Sequence, residues 1–574
     1  MERTKAEIIE ILDELALLLE MKGENPFKSR AYANAARSLE ALDEDLDLIV
    51  REGRLATIKG VGEAISKKIE ELATTGQLGY YHDLRAGIPA GHFEMLKIPG
   101  LGPKKINNLY EKLGIETIGE LEYACQENRL LDLPGFGSKT QQKILAGIDA
   151  LKHYRERRLY GEVIAEAMDL QQFLRDQQGV IAAVIAGSLR RGNEIVKDID
   201  LLAATDDHLP LADAFASLPQ AAFVVAKGDT KVSVTLHSGI NADLRIVSPS
   251  QYPYALHHFT GSREHNTALR GRAKKFGLKM NEYGIFREEE NVLCHSEEDI
   301  FAALDLSYIP PELRENMGEL EAAAVGQLPR LVEIGDMRGV LHIHTQASDG
   351  ADSLEALVRE AKRRGYAYIG VSDHSQSAYY AGGLLPDAVR RQHEAIDDIN
   401  AGEEVFHIFK GIEADILPDG RLDYDEETLR QFDFVIAAVH SHFQMAEEEM
   451  TVRIIRALAN PFTTILAHPT GRLLLAREPY ALDIHRVIDA AAAHGKVIEL
   501  NANPLRLDLD WRHCIYAKRR GVKIAVNPDL HNLAGFDYLE GGANIARKGW
   551  LEKEDCLNCL ELEEIKGYLL AMRK

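Results

Sequence analysis

Three aspartates have the types and spacing to hold divalent metal. Asp198 and Asp200 lie in VIAAVIAGSLRRGNEIVKDIDLL (180–202), an apolar run, a Gly-Ser turn, a basic pair and a second apolar run. Residues two apart in a strand share a face, so both carboxylates project together while Ile199 and Leu201 turn to the core. Two parallel carboxylates repel unless a cation lies between them. Asp243, in the short apolar run NADLRIV (241–247), offers a third. Three such groups can hold two Mg²⁺ or Mn²⁺ ions about 4 Å apart, an arrangement suited to attack by a hydroxyl and departure of pyrophosphate. Gly187, Ser188 and Arg191 would supply a triphosphate cradle. The ordinary alternative is a solvated strand edge, and the upstream Gly-Ser with the third aspartate weighs against it.

A second set of ligands fills the C-terminal half. GVLHIHTQASDG (339–350) places His342 and His344 on one strand face, with Asp349 in the following turn. Successive apolar runs then end in His374, Glu413, His440, His468, and the pair Asp529 and His531. Strands alternating with helical stretches such as 353–364 and 483–494, each strand ending in a ligand, describe a barrel-like α/β fold with its chemistry at the C-terminal mouth. Sets of His, Asp and Glu suit Zn²⁺, Mn²⁺ or Fe. One such histidine is ordinarily a satisfied core residue; nine ligands in series are not. His442 could touch substrate or face solvent, and Asn501, Asn503 and Arg506 are further candidate substrate contacts. Cys556 and Cys559 lack a second pair and read as two thiols in a C-terminal helical pattern.

The elements ahead of these sites carry a repeat. A first helix has a Thr4/Glu7 capping box and an apolar stripe of Ile8, Leu12, Leu15 and Leu19. Then follow IKGVGEAISKKI (58–69), IPGLGPKKINNL (98–109) and LPGFGSKTQQKI (133–144). Each has an apolar residue between two glycines (Gly60 and Gly62, Gly100 and Gly102, Gly135 and Gly137) and opens a helix. Such glycines allow positive φ and expose backbone N–H groups beside a helix N-terminus, so the hairpin can grip a phosphate without net positive charge. Lys104, Lys105 and Lys139 stand alongside. A packing turn would explain one copy better than three. Segment 308–338, with scattered Pro and Gly, reads as a linker with a short helix.

The hairpins bear on the charge. The 574 residues carry a formal charge of −23, spread over both halves, which argues against binding nucleic acid through bulk electrostatics. Backbone hairpins need no such charge, and much of the acid is candidate metal ligand. The length implies several domains. No leader and no apolar run long enough to span a bilayer is evident, and five cysteines fit a reducing compartment, so a soluble cytoplasmic protein is expected, without membrane partners.

The three Gly-x-Gly hairpins resemble the helix-hairpin-helix element that holds DNA backbones. GSLRRGNEIVKDIDLL, NADLRIV and HFTGSREHNTALRGRAKKFGLKMNEYGIF (258–286) resemble family X DNA polymerases over residues 1–315. The resemblance implies Asp198, Asp200 and Asp243 as metal ligands and Ser188 and Arg191 on the triphosphate. It places Phe259 and Gly261 at the sugar, Asn266 at the nucleotide, and Arg270, Glu282 and Tyr283 on the template side. His258 stands where the family often has Tyr, which leaves sugar selectivity open. Lys68 matches the lysine that forms a Schiff base with an abasic sugar in lyase-active members, with Tyr32 and Lys28 as neighbours; Ala64 replaces a lysine often found one turn earlier, and phosphate binding by Lys68 is the alternative.

Residues 339–574 resemble the polymerase and histidinol phosphatase (PHP) family. This implies a site for up to three Zn²⁺ and/or Mn²⁺ ions: one held by His342, His344, Glu413 and Asp529, one by Glu413, His440 and His468, and one by Asp349, His374 and His531. The expected architecture is a helical lyase-like domain (1–85), a fingers-like domain with two hairpins (86–155), an α/β nucleotidyltransferase palm (156–250), a thumb (251–315), a linker (316–338), and a distorted (β/α)7-type PHP barrel (339–574). The expected activity is gap-filling DNA synthesis from dNTPs on gapped or primer-template DNA, by a monomer, joined to a 3′–5′ exonuclease. The alternatives are a PHP nuclease with a catalytically weak polymerase half and a non-enzymatic DNA-end scaffold.

Overall fold

The computed structural model describes residues 3–40, 42, 44–131, 133–152 and 157–573, so the expected boundary at 155 lies outside the described residues. The chain divides into two compact units, one of residues 1–125 and 130–151, the other of 126–129 and 152–574.

The first unit is helical. Helix Lys5–Met21 begins at Thr4, whose side chain accepts from the Glu7 N–H while the Glu7 carboxylate accepts from the Thr4 N–H. Ile8, Leu12, Leu15 and Leu19 are all fully buried, each contributing about 2 kcal/mol of hydrophobic stabilisation. They pack with Tyr32, Leu39, Ile65, Ile69 and Leu72 in one core. A second core gathers Met95, Ile106, Leu109, Leu121, Phe136 and Ile144.

The two cores hold the repeat in one geometry. The first glycine of each hairpin is left-handed, with φ +89° at Gly60, +88° at Gly100 and +88° at Gly135. The central Val61, Leu101 and Phe136 are buried. Gly62 and Gly102 cap the helices Glu63–Thr75 and Pro103–Leu113 in extended conformation.

In the second unit, a five-stranded sheet has the order Val180–Ile185, Asp198–Thr205, Asn241–Val247, Lys231–Leu236 and Ala221–Lys227. Asp198–Thr205 is antiparallel to its first neighbour and parallel to Asn241–Val247. Helices Tyr160–Arg175 and His208–Ala216 contribute Val163, Leu170, Leu211 and Phe215 to the core beneath it. Helices Tyr252–Thr260, Arg263–Lys275 and Glu297–Ala302 and a small antiparallel sheet close around a separate core of Tyr254, Leu269, Ile285 and Phe301.

Seven parallel strands follow in strict chain order, from Gly339–Val340 to Ile524–Asn527. A bridge between Ile343 and Leu530 joins the last strand back to the first: His344 N–H donates to Leu530 O (2.8 Å) and Leu530 N–H to His342 O (3.2 Å). The sheet is therefore a nearly closed barrel, as the alternating strand and helix pattern predicts.

Three local expectations are corrected. Gly187–Arg190 is a single helical turn rather than a plain Gly-Ser turn. Segment 316–338 carries the expected short helix, Glu319–Ala324, yet is packed rather than free, because Leu320 and Ala323 are buried in the core of Tyr254, Leu269, Ile285 and Phe301, and Val332 and Met337 in the barrel core. Cys556 precedes and Cys559 ends the short 3₁₀ turn Leu557–Cys559 instead of lying in an α-helix, and both are free and buried.

Candidate metal centres and nucleic-acid contacts

Strand register assembles the aspartate triad. Asp200 pairs directly with Asp243 across the parallel ladder, and Asp198 lies two residues before Asp200 on the same strand. Ile199 and Leu201 are buried while the three aspartates are only partly covered, as strand alternation requires. Lys231 pairs with Asp243 at 2.7 Å. Burial, then the charges of Asp198 and Asp243, push Asp200 up to about 6; burial and Asp243 raise Asp198. Carboxylates crowded enough to resist ionisation could hold a divalent cation.

The turn after Ile185 carries the expected triphosphate residues beside the triad. Gly187 has φ +58°, and a Cβ there would overlap the Asp200 carboxylate, so the close approach admits only glycine. Arg191 donates from Nη1 to Thr260 O (2.6 Å) and from Nε to Glu315 (2.9 Å). Phe259 lies under the Arg245 guanidinium at 5.0 Å and edge-on to His258. Gly261 ends that helix at φ +72°. Asn266 Nδ2 donates to His258 O (2.8 Å), and His258, Asn266 and Arg270 line one small pocket with Met280 and Asn281. Tyr283 is exposed in the turn after Lys279–Asn281.

The barrel brings all nine expected ligands together at its C-terminal mouth. Glu413 is their centre, its two oxygens 3.0 Å from His374 and His468, 3.3 Å from His440, 3.5 Å from His342 and 3.6 Å from His344. Asp529 Oδ1 lies 3.3 Å from His342 and 3.2 Å from His344. Asp349 faces His344 (3.4 Å), His374 (3.3 Å) and His531 (3.4 Å). His344, Asp349, His374 and His531 could share one ion; so could His342, His344 and Asp529, and likewise His374, Glu413 and His440.

These residues fit metal ions. His342 Nε2, both nitrogens of His344 and His374, His468 Nδ1, His531 Nε2, Asp349 Oδ2 and Glu413 Oε2 are buried without a hydrogen-bond partner. So many orphaned polar atoms in one place would be very unfavourable unless cations filled the gaps. Their proton affinities conflict in the same way. Burial and the neighbouring His531 and His374 drive His344 down to about 3, whereas at His531 the charges of Asp349 and Glu127 override burial and lift it to about 9.

Several contributors were not apparent in the sequence. Glu499 Oε2 faces His342 Nδ1 at 2.7 Å, and the same carboxylate accepts from Asn501, Asn527 and the His468 N–H. Asp415 faces His440 Nδ1 at 2.7 Å. With Nδ1 donating to a carboxylate, Nε2 of each histidine is left as a lone pair aimed at the site. Glu127, in the segment 126–129 that belongs to this unit, joins Asp529 and His531 as a possible ligand group. Alternation along the strand Val497–Asn501 places Glu499 on the same face as Asn501, a signal that was available.

The other candidate contacts lie around or beyond the ligand set. Asn501, the last residue of strand Val497–Asn501, donates to Glu499 and Asp529 and accepts from the Asn503 N–H, while Asn503 Oδ1 accepts from the Leu505 N–H. Arg506 Nε lies 3.7 Å from Asp529. His442 is exposed at φ +59°, beyond the end of strand Phe434–Ala438, and faces solvent.

In the helical unit, Lys68 Nζ lies 4.8 Å from the Tyr80 ring centre and Lys28 Nζ 5.7 Å, with Tyr32 buried nearby. Tyr80 is the shared neighbour that spacing did not reveal. A Cβ at Gly62, Gly100, Gly102, Gly135 or Gly137 would meet nothing within 4 Å, so these hairpin tips are open to a ligand. Lys105 Nζ folds back onto Gly100 O at 3.1 Å, while Lys104 and Lys139 are exposed.

Comparison with known proteins gives the family. Family models match residues 3–78 (helix-hairpin-helix domain), 93–150 (SAM-like helix-hairpin-helix tandem), 255–315 (DNA polymerase beta thumb) and 341–503 (PHP domain). The chain belongs to the family X DNA polymerases that carry a C-terminal PHP domain. It is 38% identical to the DNA polymerase/3′-5′ exonuclease PolX of Bacillus subtilis over 569 residues, covering 98% of this chain and 99% of that one. Its barrel half is 31% identical to a probable phosphatase of Caldanaerobacter subterraneus over 252 residues, 41% of this chain and 91% of the relative. A probable phosphatase of Thermoanaerobacter sp. matches at 30% over 247 residues, 40% and 92% of the two chains.

Proposed function

We propose that the chain is a DNA-directed DNA polymerase that fills short gaps and carries a 3′–5′ exonuclease in its PHP barrel. The observation that carries the reading is the coexistence of two separate, cation-starved ligand sets: three crowded aspartates on the sheet and nine ligands in the barrel mouth.

Asp198, Asp200 and Asp243 would hold Mg²⁺ or Mn²⁺. Gly187 and Ser188 present backbone beside them, and Arg191 offers its guanidinium to a triphosphate. His258, Phe259 and Gly261 border the sugar, Asn266 the base, and Arg270 and Tyr283 the template. In the barrel, His342, His344, Asp349, His374, Glu413, His440, His468, Asp529 and His531 would hold up to three Zn²⁺ or Mn²⁺ ions. Such ions would activate water and neutralise phosphate charge. The chain's own part is orientation: Glu499 and Asp415 hold the protons of His342 and His440 on Nδ1. The hairpin glycines and Lys104, Lys105 and Lys139 take the DNA backbone, and Lys68 beside Tyr80 is placed for a phosphate or an abasic sugar. The divisions near 85, 155, 250 and 315 are the domain limits we adopt, with 316–338 packed as described. Among the described residues no helix is long and apolar enough to cross a membrane.

The test is one gapped substrate with labelled strands, incubated with wild type, Asp200→Ala and His440→Ala. Asp200→Ala should lose extension and keep degradation, and His440→Ala the reverse. Loss of both activities in either variant would refute two independent sites. Absence of both from metal-replete wild type would leave the DNA-end scaffold.

A further inference from the structure

The turn that carries Arg191 is held by side chains from the barrel. Glu194, three residues on, accepts from Arg472 Nη2 (3.1 Å) and from Trp511 Nε1 (3.3 Å). Lys548, the last residue of helix Tyr538–Lys548, is only 1% exposed. Its ammonium lies 4.7 Å from the Trp511 ring centre and donates to the Arg191 backbone carbonyl (3.1 Å) and to Glu315 Oε1 (2.6 Å). That same Glu315 oxygen accepts from Arg191 Nε. Lys548 thus touches Arg191 at its backbone directly and at its guanidinium through one shared carboxylate.

Packing alone does not explain a cation here. Burying an ammonium is unfavourable unless it is paired, and removing this one alone would leave Glu315 and the Arg191 carbonyl short of a partner. What the charge does is share Glu315. Without it, Glu315 would be neutralised by Arg191 alone and would draw that guanidinium back from a ligand.

We propose that Lys548 is a positioning residue of the polymerase site, through which the PHP barrel sets the reach of Arg191 toward the triphosphate of the incoming nucleotide. This rests on the reading of Arg191 as the triphosphate contact. The barrel domain then builds part of the nucleotide-binding face in addition to its own nuclease site.

The test uses the full chain and single-nucleotide gap filling. Lys548→Met should raise KM for the dNTP about tenfold, the effect of one charge-assisted hydrogen bond. Its kcat should change less than about threefold on the same scale, and its exonuclease rate should stay at the wild-type value. Lys548→Arg should restore most of the KM. On an Arg191→Ala background, Lys548→Met should add nothing further. If Lys548→Met does not fold, Lys548→Gln, which keeps a donor for the Arg191 carbonyl, must show the raised KM. An unchanged KM in folded Lys548 variants, with KM raised in Arg191→Ala, overturns this proposal alone. An unchanged KM in Arg191→Ala overturns the reading of Arg191 and the proposal with it. Parallel loss of both activities in Lys548→Met would mark a purely structural lysine and also overturn it.

Discussion

Asp200→Asn should stabilise the metal-free protein while abolishing DNA synthesis. Asp200 sits in strand register with Asp243 and two residues from Asp198, and the nearby cations Arg191 and Lys231 offset their charge only in part, Lys231 being paired with Asp243. Burial and these like charges lift Asp200 from 3.8 to about 6. The unfolded chain ionises Asp200 near pH 4, the folded chain only near pH 6. Between those values folding takes up a proton, so stability falls as pH rises, and above about 6 the penalty is complete. Two pKa units correspond to about 3 kcal/mol. Asparagine keeps the size and part of the cost of polar burial, so the expected gain is about 1–3 kcal/mol at pH 7.5. Calorimetry in EDTA should show the sheet domain melting about 3–8 °C higher in Asp200→Asn than in wild type. That gap should shrink at pH 5. Mg²⁺ should raise the wild-type transition and leave the variant nearly unmoved. A variant that melts no higher than wild type in EDTA, or a gap independent of pH, would refute charge crowding at the triad.

Gly187→Ala should abolish nucleotide incorporation and spare nuclease activity, because the added Cβ overlaps the Asp200 carboxylate; normal primer extension would contradict the packing. Glu499→Gln should lower metal content and 3′-end degradation about 10–100-fold with polymerase activity intact, since Glu499 orients His342 and His468; metal analysis beside a nuclease assay checks this. Gly100→Ala forces a side chain into φ +88°, and anisotropy should show gapped-duplex affinity falling about tenfold, equivalent to about 1.4 kcal/mol of strain and lost contact. Lys68→Ala should eliminate any borohydride-trapped adduct with abasic DNA. Trapping that persists would place lyase chemistry elsewhere.

Much of both sites was legible in the sequence because strand alternation is short-range. Asp198 and Asp200 must share a face once their run is a strand, and Glu413 or His440 at the end of an apolar run points to a barrel mouth before any strand is paired. The hairpin repeat was equally local, since each glycine pair and its helix form within a dozen residues. Glu499, Asp415 and Lys548 were not legible. A carboxylate in a buried strand or a lysine at a helix end has an ordinary sequence signature, and its meaning comes from a partner 157, 25 or 357 residues away. The same holds for segment 316–338, whose Pro and Gly marked a linker with a short helix while Leu320 and Val332 bury themselves in two cores.

By itself, then, the sequence determined which side chains could bind metal, nucleotide and DNA, because residue type and local periodicity set that chemistry. Only the tertiary structure decided which of them meet. Parallel pairing set Asp200 against Asp243, and the bridge from Ile343 to Leu530 drew His342, His344 and Asp529 together. Burial then left His342 Nε2 and both nitrogens of His344 without hydrogen-bond partners and crowded the aspartates of the sheet, so any affinity for cations arises from the folded arrangement.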